Sequence, residues 1–304
     1  MEQLCAYAEA TDGEVRCLSL ESHLVRTAYL AYKLFGERVM VGSGPLGYLN
    51  RAIRTPGQRA SVMILTLAAL LHDIGKASAA YTLPAGSGYA SYPLHEHVSA
   101  HLVGLQALDA YGSGGGDCAL SLHLTAAVIA RHHSAMYCRH PDDLDRGECR
   151  WSRSRLREAV SGATRDRIAM ALPGGLKGLL EELGMVRSGD QRRIGDTIQL
   201  TQSRWIINYM GRHMPQPGGA RPGNWLLPSI QVLTGALIVS DILVAWRERC
   251  SSGECKEPDK AYARSWISEL EARQLLEKTV REPLEELIEP VRGVLEEWRE
   301  ACSG

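Results

Sequence analysis

Apolar positions recur along most of the chain at the three- and four-residue spacing of amphipathic helices. The pattern predicts ten helices, near residues 20–35, 59–73, 94–110, 120–132, 153–171, 175–184, 190–212, 226–248, 260–279 and 282–301. Stretches rich in glycine, proline and serine, such as YGSGGGD and MPQPGGARPGN, separate several of them. No alternating run is long enough to predict a sheet, so the expected fold class is all-α.

The composition is typical of a soluble globular protein. Of 304 residues, 45% are apolar, and the net charge of −1 gives no overall sign of nucleic-acid binding. The first residues, MEQLCAYAEATDGEV, lack the basic start and apolar core of a signal peptide, so we expect a cytoplasmic protein. The most membrane-like segment, Leu226–Trp246, contains Pro228 and Asp241, which favours a buried helix and no membrane partner.

The eight cysteines include no CxxC pair, which argues against a zinc ribbon or a thioredoxin-like motif. In a cytoplasmic protein we expect reduced, partly buried thiols. Disulfides inside the cell are expected only if the source is a hyperthermophile. The candidate pairs are then Cys138 with Cys149 and Cys250 with Cys255.

Charge is unevenly distributed along the chain. Basic residues outnumber acidic ones between Arg131 and Arg221, whereas the C-terminal helices are acidic. One interpretation is a basic face that contacts phosphates; the other is a solvated helical face of alternating charge. The candidate contacts to nucleic acid are Arg131, Arg139, Arg150, Arg153 and Arg155.

Two polar pairs end apolar runs. His72 and Asp73 follow VMILTLAALL, and His132 and His133 follow AAVIA, while His95 opens a third predicted helix. At helix ends, both members of such a pair can turn toward one point between neighbouring helices. Imidazole and carboxylate ligands without thiolate suit Mn, Fe, Co, Ni or Zn better than Ca. Alone, the His72 pair is equally well explained as a hydrogen-bonded pair that closes a core helix.

Two further residues fit a metal site. His23 lies at the start of an amphipathic helix, and Asp241 interrupts the apolar helix LIVSDILVAW. Burial of that carboxylate is costly unless it is paired or bound to a metal. No salt-bridge partner is evident from the sequence, which favours a metal ligand.

The order of these histidine and aspartate motifs along the chain resembles that of the HD superfamily of metal-dependent phosphohydrolases. More narrowly, they are similar to the HD nuclease of type I CRISPR interference systems. The resemblance rests on His23, on HDxGK at 72–76, on HExxSA at 95–100, on His132-His133 and on Ser240-Asp241. The chain lacks a GxxxxGK[ST] phosphate-binding loop, so it resembles the stand-alone nuclease subunit and not a nuclease fused to a helicase.

The resemblance implies one HD domain over residues 1–304, built as a helical bundle. Its metal-binding core would span about 20–137 and 226–248, with an arginine-rich helical insertion at about 138–225 and acidic C-terminal helices at about 256–304. The implied metal ligands are His23, His72, Asp73 and Asp241 for one ion, and the bridging Asp73 with His95, His132 and His133 for the other.

The other implied roles leave alternatives open. Lys76 either stabilises negative charge at a phosphate or pairs with a nearby carboxylate. His97 and His101 compete with His95 as ligands, although the HExxSA match favours His95. His123 and His140 are expected to be structural or exposed.

The implied activity is two-metal hydrolysis of single-stranded DNA, with RNA as a further substrate class. Asp73 and Lys76 would be the catalytic residues, with Mn, Fe, Co or Ni preferred to Zn, and Mg also considered. The implied partners are a separate helicase and a guide-RNA effector complex. The alternatives are an HD phosphohydrolase that acts on nucleotides or cyclic nucleotides, and a non-enzymatic all-α scaffold with a structural metal.

Overall fold

The computed structural model describes residues 4–11, 14–40, 44–82, 88–114, 116–144, 146–213, 224–250, 265 and 270–303. These ranges contain thirteen α-helices: α1 Leu20–Met40, α2 Pro45–Ala52, α3 Ala60–Leu71, α4 His95–Gly112, α5 Gly116–Ile129, α6 Arg150–Gly162, α7 Arg165–Ala171, α8 Gly174–Glu182, α9 Ile194–Thr201, α10 Ser203–His213, α11 Leu226–Arg249, α12 Leu270–Arg281 and α13 Leu284–Ser303. Short 3₁₀ turns lie between some of them. The predicted, mostly α-helical fold class is confirmed.

A small sheet is also present, and the expectation of no sheet is wrong. Strands β1 (Cys5–Thr11), β2 (Glu14–Ser19) and β3 (Gly88–Tyr89) are antiparallel and lie in the order β2-β1-β3. The sequence does contain a hairpin signal, an Asp-Gly dipeptide at 12–13 between the two longer strands. The strands are short and their side chains small or polar, so their alternation is weak.

Several helix boundaries differ from the prediction. The helix expected at 153–171 is divided after Gly162, where Thr164 adopts an extended backbone, and the one expected at 190–212 is divided at Gln202. Helix α2 was not predicted. Most of the first half of the helix expected at 260–279 lies outside the described residues.

Helix α3 is the centre of the core. All twelve of its residues are buried, and α1, α5, α11 and α13 pack around it. A helix that is apolar on every side needs such complete enclosure. Its C-terminal end therefore delivers His72 and Asp73 to the interior, between neighbouring helices.

Two segments, Ala60–Ala77 and Leu226–Arg249, are long and apolar enough to cross a membrane by length and composition. Their length and composition are weak evidence for a membrane protein, because core helices of soluble proteins pass the same test. Of the first segment, Ala60–Ala77, 94% is buried inside the protein.

Disulfides join Cys5 to Cys17, Cys118 to Cys302, and Cys138 to Cys149. The candidate pair Cys138–Cys149 is thus present, and the expectation of reduced thiols is wrong for these six residues. The pair Cys250–Cys255 cannot be compared, since Cys255 lies outside the described residues. Disulfides of this number are typical of oxidising compartments or of hyperthermophile cytoplasm.

Candidate metal centre

The end of α3 fixes the orientation of His72. Its Nδ1 lies 2.8 Å from the carbonyl oxygen of Ala69 and donates a hydrogen bond to it. This carbonyl is in the last turn of the helix, where backbone acceptors lack intrahelical donors. The bond selects the tautomer in which Nε2 carries the free lone pair, and this atom faces the site.

The same local arrangement occurs twice more. The Nδ1 of His132 donates to the carbonyl of Ile129 at 2.7 Å, and the Nδ1 of His95 donates to that of Tyr92 at 2.6 Å. In all three cases the acceptor is the residue three positions earlier. The three Nε2 atoms are buried and have no hydrogen-bond partner among the described residues.

Asp73 lies between two groups of these ligands. Its Oδ1 is 2.9 Å from the Nε2 of His95 and 3.8 Å from that of His132. Its Oδ2 is 3.5 Å from the Nε2 of His72 and 3.6 Å from that of His23. The two oxygens of one carboxylate thus face different sets of histidines.

Helices α1 and α11 complete one of the two sets. The Oδ1 of Asp241 is 3.1 Å from the Nε2 of His23 and 3.6 Å from that of His72. The carboxylate that interrupts an apolar helix in the sequence therefore meets two imidazoles in the interior. The ring of His133 completes the other set, with its centroid 5.0 Å from that of His95 and 4.2 Å from that of His132.

Three groups each bring their ligand atoms within 4.8 Å of one another: His23, His72 and Asp241; His95, His132 and His133; and His72, Asp73 and His132. Buried lone pairs that converge with no donor between them are costly unless a cation is shared. The Nε2 atoms of His72, His95 and His132 and the Oδ1 of Asp73 are such atoms, so these buried clusters can bind a metal ion. All seven sequence-predicted metal ligands lie in them.

The pKa values reflect the crowding of charges. Burial would raise the pKa values of Asp73 and Asp241, but the neighbouring imidazoles, with Lys76 beside Asp73, hold both well below the usual range. Burial alone would lower the pKa of His23, yet hydrogen bonds to Asp241 and Glu248 raise it to about 10. Burial and the neighbouring imidazoles lower the pKa of His133 to about 2.

Lys76 contacts the central carboxylate directly. Its Nζ is 2.6 Å from the Oδ2 of Asp73 and donates to the carbonyl of Ala6 in β1 at 3.0 Å. Of the two roles considered for this lysine, the structure contains the pairing with a carboxylate. The bond to Ala6 also attaches the small sheet to the site.

The alternative histidines do not join these clusters. His97 donates through Nε2 to the carbonyl of Arg139 at 2.8 Å, and the Nδ1 of His101 lies 2.6 Å from the hydroxyl of Thr197. His123 is buried and structural. His140 is partly exposed and accepts a hydrogen bond from a backbone N–H.

Glu248 was not predicted. Its Oε2 is 3.1 Å from the Nδ1 of His23, and its Oε1 is 3.1 Å from the Nη1 of Arg26. It takes the place that backbone carbonyls take for the other three imidazoles. The available signal was its position two turns after Asp241, on the same face of α11.

Two other residues of the motifs have a structural explanation. The N–H of Gly75 donates to the hydroxyl of Ser99 at 2.9 Å, and that hydroxyl donates to the carbonyl of His95 at 2.9 Å. A Cβ on Gly75 would collide with the same carbonyl. Gly75 and Ser99 thus hold the turn after α3 directly against the start of α4.

The arginines proposed to contact nucleic acid differ in their environments. Arg131 is buried, and its guanidinium donates to the Ala127 carbonyl and the Ser203 hydroxyl, so its assignment as a phosphate contact is wrong. Its position after the buried stem of α5 forces it into the interior. The remaining candidates are described by location only.

Arg139 is largely buried, with its Nε 3.4 Å from Oε1 of the fully buried Glu96. Arg153 and Arg155 are exposed on α6, whereas the side chain of Arg150 lies outside the described part of the structure. Of the five candidate arginines, two are therefore exposed among the described side chains and remain candidates for contact with nucleic acid.

A cavity of about 220 Å³ opens onto the clusters. Its wall includes His23, Lys76, His133, Asp241 and Glu248, and the hairpin and α11 provide the rest: Ala6, Tyr7, Leu18, Ile242, Ala245 and Arg249. Among the described residues, the lining contains no serine, threonine or cysteine. A molecule in this cavity would meet metal ligands, a lysine and a tyrosine together.

Comparison of the chain with protein-family models, with curated proteins and with solved structures gives no match in any of the three.

Proposed function

We propose that the chain is an HD-type metal-dependent nuclease that hydrolyses phosphodiester bonds of single-stranded DNA, with RNA as a further substrate class. The observation that carries the proposal is the position of Asp73. One of its oxygens faces His95 and His132, and the other faces His72 and His23. A carboxylate shared in this way is the expected ligand for a pair of divalent ions.

The residues around Asp73 have distinct roles in this proposal. When bound, two divalent ions supply an acidified water and neutralise charge on the phosphodiester and the leaving oxygen. The histidines are fixed through Nδ1, so that their Nε2 atoms remain available as ligands. Lys76 holds Asp73 and adds positive charge to the cavity wall. Among the described lining residues, Tyr7 carries the one hydroxyl and none carries a thiol, and no basic partner for a serine or cysteine nucleophile is needed if water is the attacking group.

The chemistry of the ligands limits the choice of metal. Imidazole nitrogens with two carboxylates and no thiolate suit Mn, Fe, Co or Ni, and these are preferred here to Zn or Mg. The order of the motifs along the chain supports action in type I CRISPR defence in the cytoplasm, beside a separate helicase and a guide-RNA complex. The resemblance alone supports these partners.

A second candidate is a phosphohydrolase that acts on nucleotides or cyclic nucleotides. The small volume of the cavity, about 220 Å³, favours it, because a single nucleotide needs less space at the site than a strand does. A nuclease, in contrast, needs an opening through which a strand continues on both sides of the scissile bond.

Metal analysis combined with an activity screen tests the proposal. The purified protein, loaded in turn with Mn, Fe, Co, Ni, Zn and Mg, is expected to bind two ions per chain and to cut circular single-stranded DNA. Asp73→Asn is expected to lose at least one ion and at least about 10³-fold in activity, since it removes a shared ligand. His140→Gln, outside the clusters, is the matched control and is expected to retain both.

Three results would contradict parts of the proposal. Rapid hydrolysis of a nucleotide panel with inert DNA would favour the second candidate. Binding of fewer than two ions with every metal would remove the bridging role of Asp73. Loss of folding in Asp73→Asn, with no activity in the unmodified protein, would indicate a structural metal in a scaffold.

A further inference from the structure

The N-terminal hairpin forms one wall of the cavity. Its strand β1 contributes Ala6 and Tyr7, and β2 contributes Leu18. The disulfide Cys5–Cys17 joins the two strands to each other. Two contacts anchor the hairpin to the rest of the protein: Lys76 donates to the Ala6 carbonyl, and Arg16 donates to the carbonyl of Arg249 at 2.9 Å. The wall therefore keeps its position relative to the metal ligands.

Three side chains at this wall form a cluster. The ring centroid of Tyr7 lies 5.8 Å from that of Tyr89, and the planes are tilted by 45°. The guanidinium of Arg249 lies 5.3 Å from the same ring. Tyr7 and Arg249 line the cavity that contains His133 and Asp241, so the cluster is continuous with the metal site.

Tyr89 is largely exposed to solvent. It lies in β3, opposite Glu9 of β1, and 66% of its surface is exposed. Tyrosine on a strand is ordinarily half buried, because its ring contributes much apolar area. Here the exposed ring lies beside a second tyrosine and an exposed arginine.

Stacking surfaces of this composition suit nucleobases. Aromatic rings and arginine guanidinium planes stack on any base, which makes such contacts tolerant of sequence. Arg249 also adds positive charge for a phosphate. Glu9 accepts a hydrogen bond from the Tyr7 hydroxyl at 3.3 Å, and Glu14 lies farther along the hairpin. Both carboxylates disfavour a path for the phosphates over the hairpin tip.

We propose that Tyr7, Tyr89 and Arg249 bind the nucleobase next to the phosphate held at the metal centre. This inference rests on the proposed function and adds a substrate-binding surface to it. It assigns base stacking to the small sheet, and it makes a base beside the scissile bond a requirement for tight binding. A substrate without a base at that position loses these contacts.

Binding measurements test the proposal separately from catalysis. The probes are a fluorescein-labelled oligothymidylate and an oligomer of the same length made of abasic units, followed by fluorescence anisotropy in EDTA and with Ca²⁺. We expect the intact protein to bind the oligothymidylate about 5- to 50-fold more tightly than the abasic oligomer. Tyr7→Ala and Tyr89→Ala are expected to abolish most of that difference.

Conservative variants and a distant control separate stacking from damage to the fold. Tyr89→Phe and Tyr7→Phe keep the ring and are expected to bind like the unmodified protein. Arg249→Gln removes a positive charge from the cluster, and Arg54→Gln removes one far from it, so the second variant is the control for the first. Arg54 pairs with Asp117 at the start of α5, whose 14 residues span about 21 Å before His132.

The outcomes distinguish the two proposals. Equal binding of the two oligomers, no binding of either, or unchanged discrimination in both alanine variants would overturn base stacking, even if the protein cuts DNA. Base-dependent binding that requires Tyr7 and Tyr89 would support it, even if no metal produces cleavage and the proposed nuclease activity fails.

Discussion

Buried histidines occur in two regions of this protein, and they differ in what each nitrogen contacts. In the metal centre, Nδ1 of His72, His95 and His132 donates to a carbonyl while Nε2 faces Asp73 or Asp241. Between α4, α5 and α9, His123 has both nitrogens occupied: Nε2 lies 2.6 Å from the carbonyl of Leu200 and Nδ1 lies 2.9 Å from the hydroxyl of Tyr111.

The comparison teaches that burial does not identify a metal ligand. His72 and His123 are both completely buried. They differ because one imidazole is satisfied by the protein and the other has an unpartnered nitrogen directed toward carboxylates. A free nitrogen alone is not sufficient, because the buried Nε2 of His101 also lacks a partner among the described residues. What distinguishes His72 is that its free nitrogen is directed at carboxylates and other imidazoles.

The largest expected effect is a difference in metal-induced stabilisation between variants at His72, in the candidate metal centre, and at His123, between α4, α5 and α9. Excess Mn²⁺ is expected to raise the Tm of the unmodified protein, because a ligand that binds only the folded state stabilises it. His72→Gln is expected to lose nearly all of this gain, with at least about 100-fold weaker binding. His123→Gln is expected to keep it while losing about 2 kcal/mol of stability in the metal-free state.

Calorimetric titration with Mn²⁺ and thermal unfolding with and without metal provide the two readouts. An equal metal-dependent shift in both variants would show that the free Nε2 of His72 is not a ligand. Loss of the shift in His123→Gln would show that the two regions are not independent.

The next largest effect is expected at Gly75, in the turn after α3 that packs against the start of α4. Gly75→Ala places a methyl group against the carbonyl of His95 and is expected to cost about 3 kcal/mol and to displace His95 from Asp73. Gly178→Ala is the control, since its Cβ meets nothing within 4 Å in α8 and should stabilise the protein by about 0.5–1 kcal/mol. Urea unfolding measures both; equal stabilities would contradict the close approach.

The sequence predicted which His and Asp residues cluster in the interior better than it predicted their surroundings. An apolar run that ends in His72-Asp73 indicates a buried stem with a polar end, and the ordered motifs add the partners on four other segments. These clustered residues could be predicted because each lies within a short local pattern. Asp241 is the clearest example, since a carboxylate in an apolar helix needs a partner.

The failures involve contacts that depend on packing. Arg131 belongs to a basic segment, but charge along a chain does not tell which side of a helix end is buried. Cys118 and Cys302 are 184 positions apart, and only the fold brings them together. Glu248 has no motif, because its role depends on how α11 crosses α1. The hairpin was missed because small and polar residues alternate weakly.

Glu248 tests whether a side chain does the same work as the backbone carbonyls. Glu248→Gln keeps the shape but loses the charge next to Nδ1 of His23, and we expect metal affinity to fall about 10- to 100-fold. Glu297→Gln is the matched control, since Glu297 accepts from Arg59 as Glu248 accepts from Arg26, but contacts no candidate ligand. Titration calorimetry with Mn²⁺ compares them, and equal affinities would remove Glu248 from the site.

The smallest expected effect is the part of the pH-dependent stability that His123 contributes. Burial lowers the pKa of His123 to about 4, although the hydrogen bond to the Leu200 carbonyl opposes this, whereas carboxylates raise the pKa of His23. Below its unfolded-state pKa of about 6.5, the unfolded chain binds a proton that the folded chain does not. The stability that His123 contributes is therefore complete above pH 6.5 and is lost as the pH falls toward 4. At pH 5.5 the loss is about 1.4 kcal/mol, since each proton contributes about 1.4 kcal/mol per pH unit.

His123→Gln does not titrate in this range, so its unfolding free energy should fall by about 1.4 kcal/mol less than that of the unmodified protein between pH 7.5 and 5.5. Urea unfolding of both proteins in EDTA measures the difference, because the histidines of the metal centre titrate equally in the two and cancel. If the two proteins lose the same stability, then His123 is protonated in the folded state. The description of His123 as a neutral imidazole with both nitrogens hydrogen-bonded would then be wrong, and with it the contrast to His72.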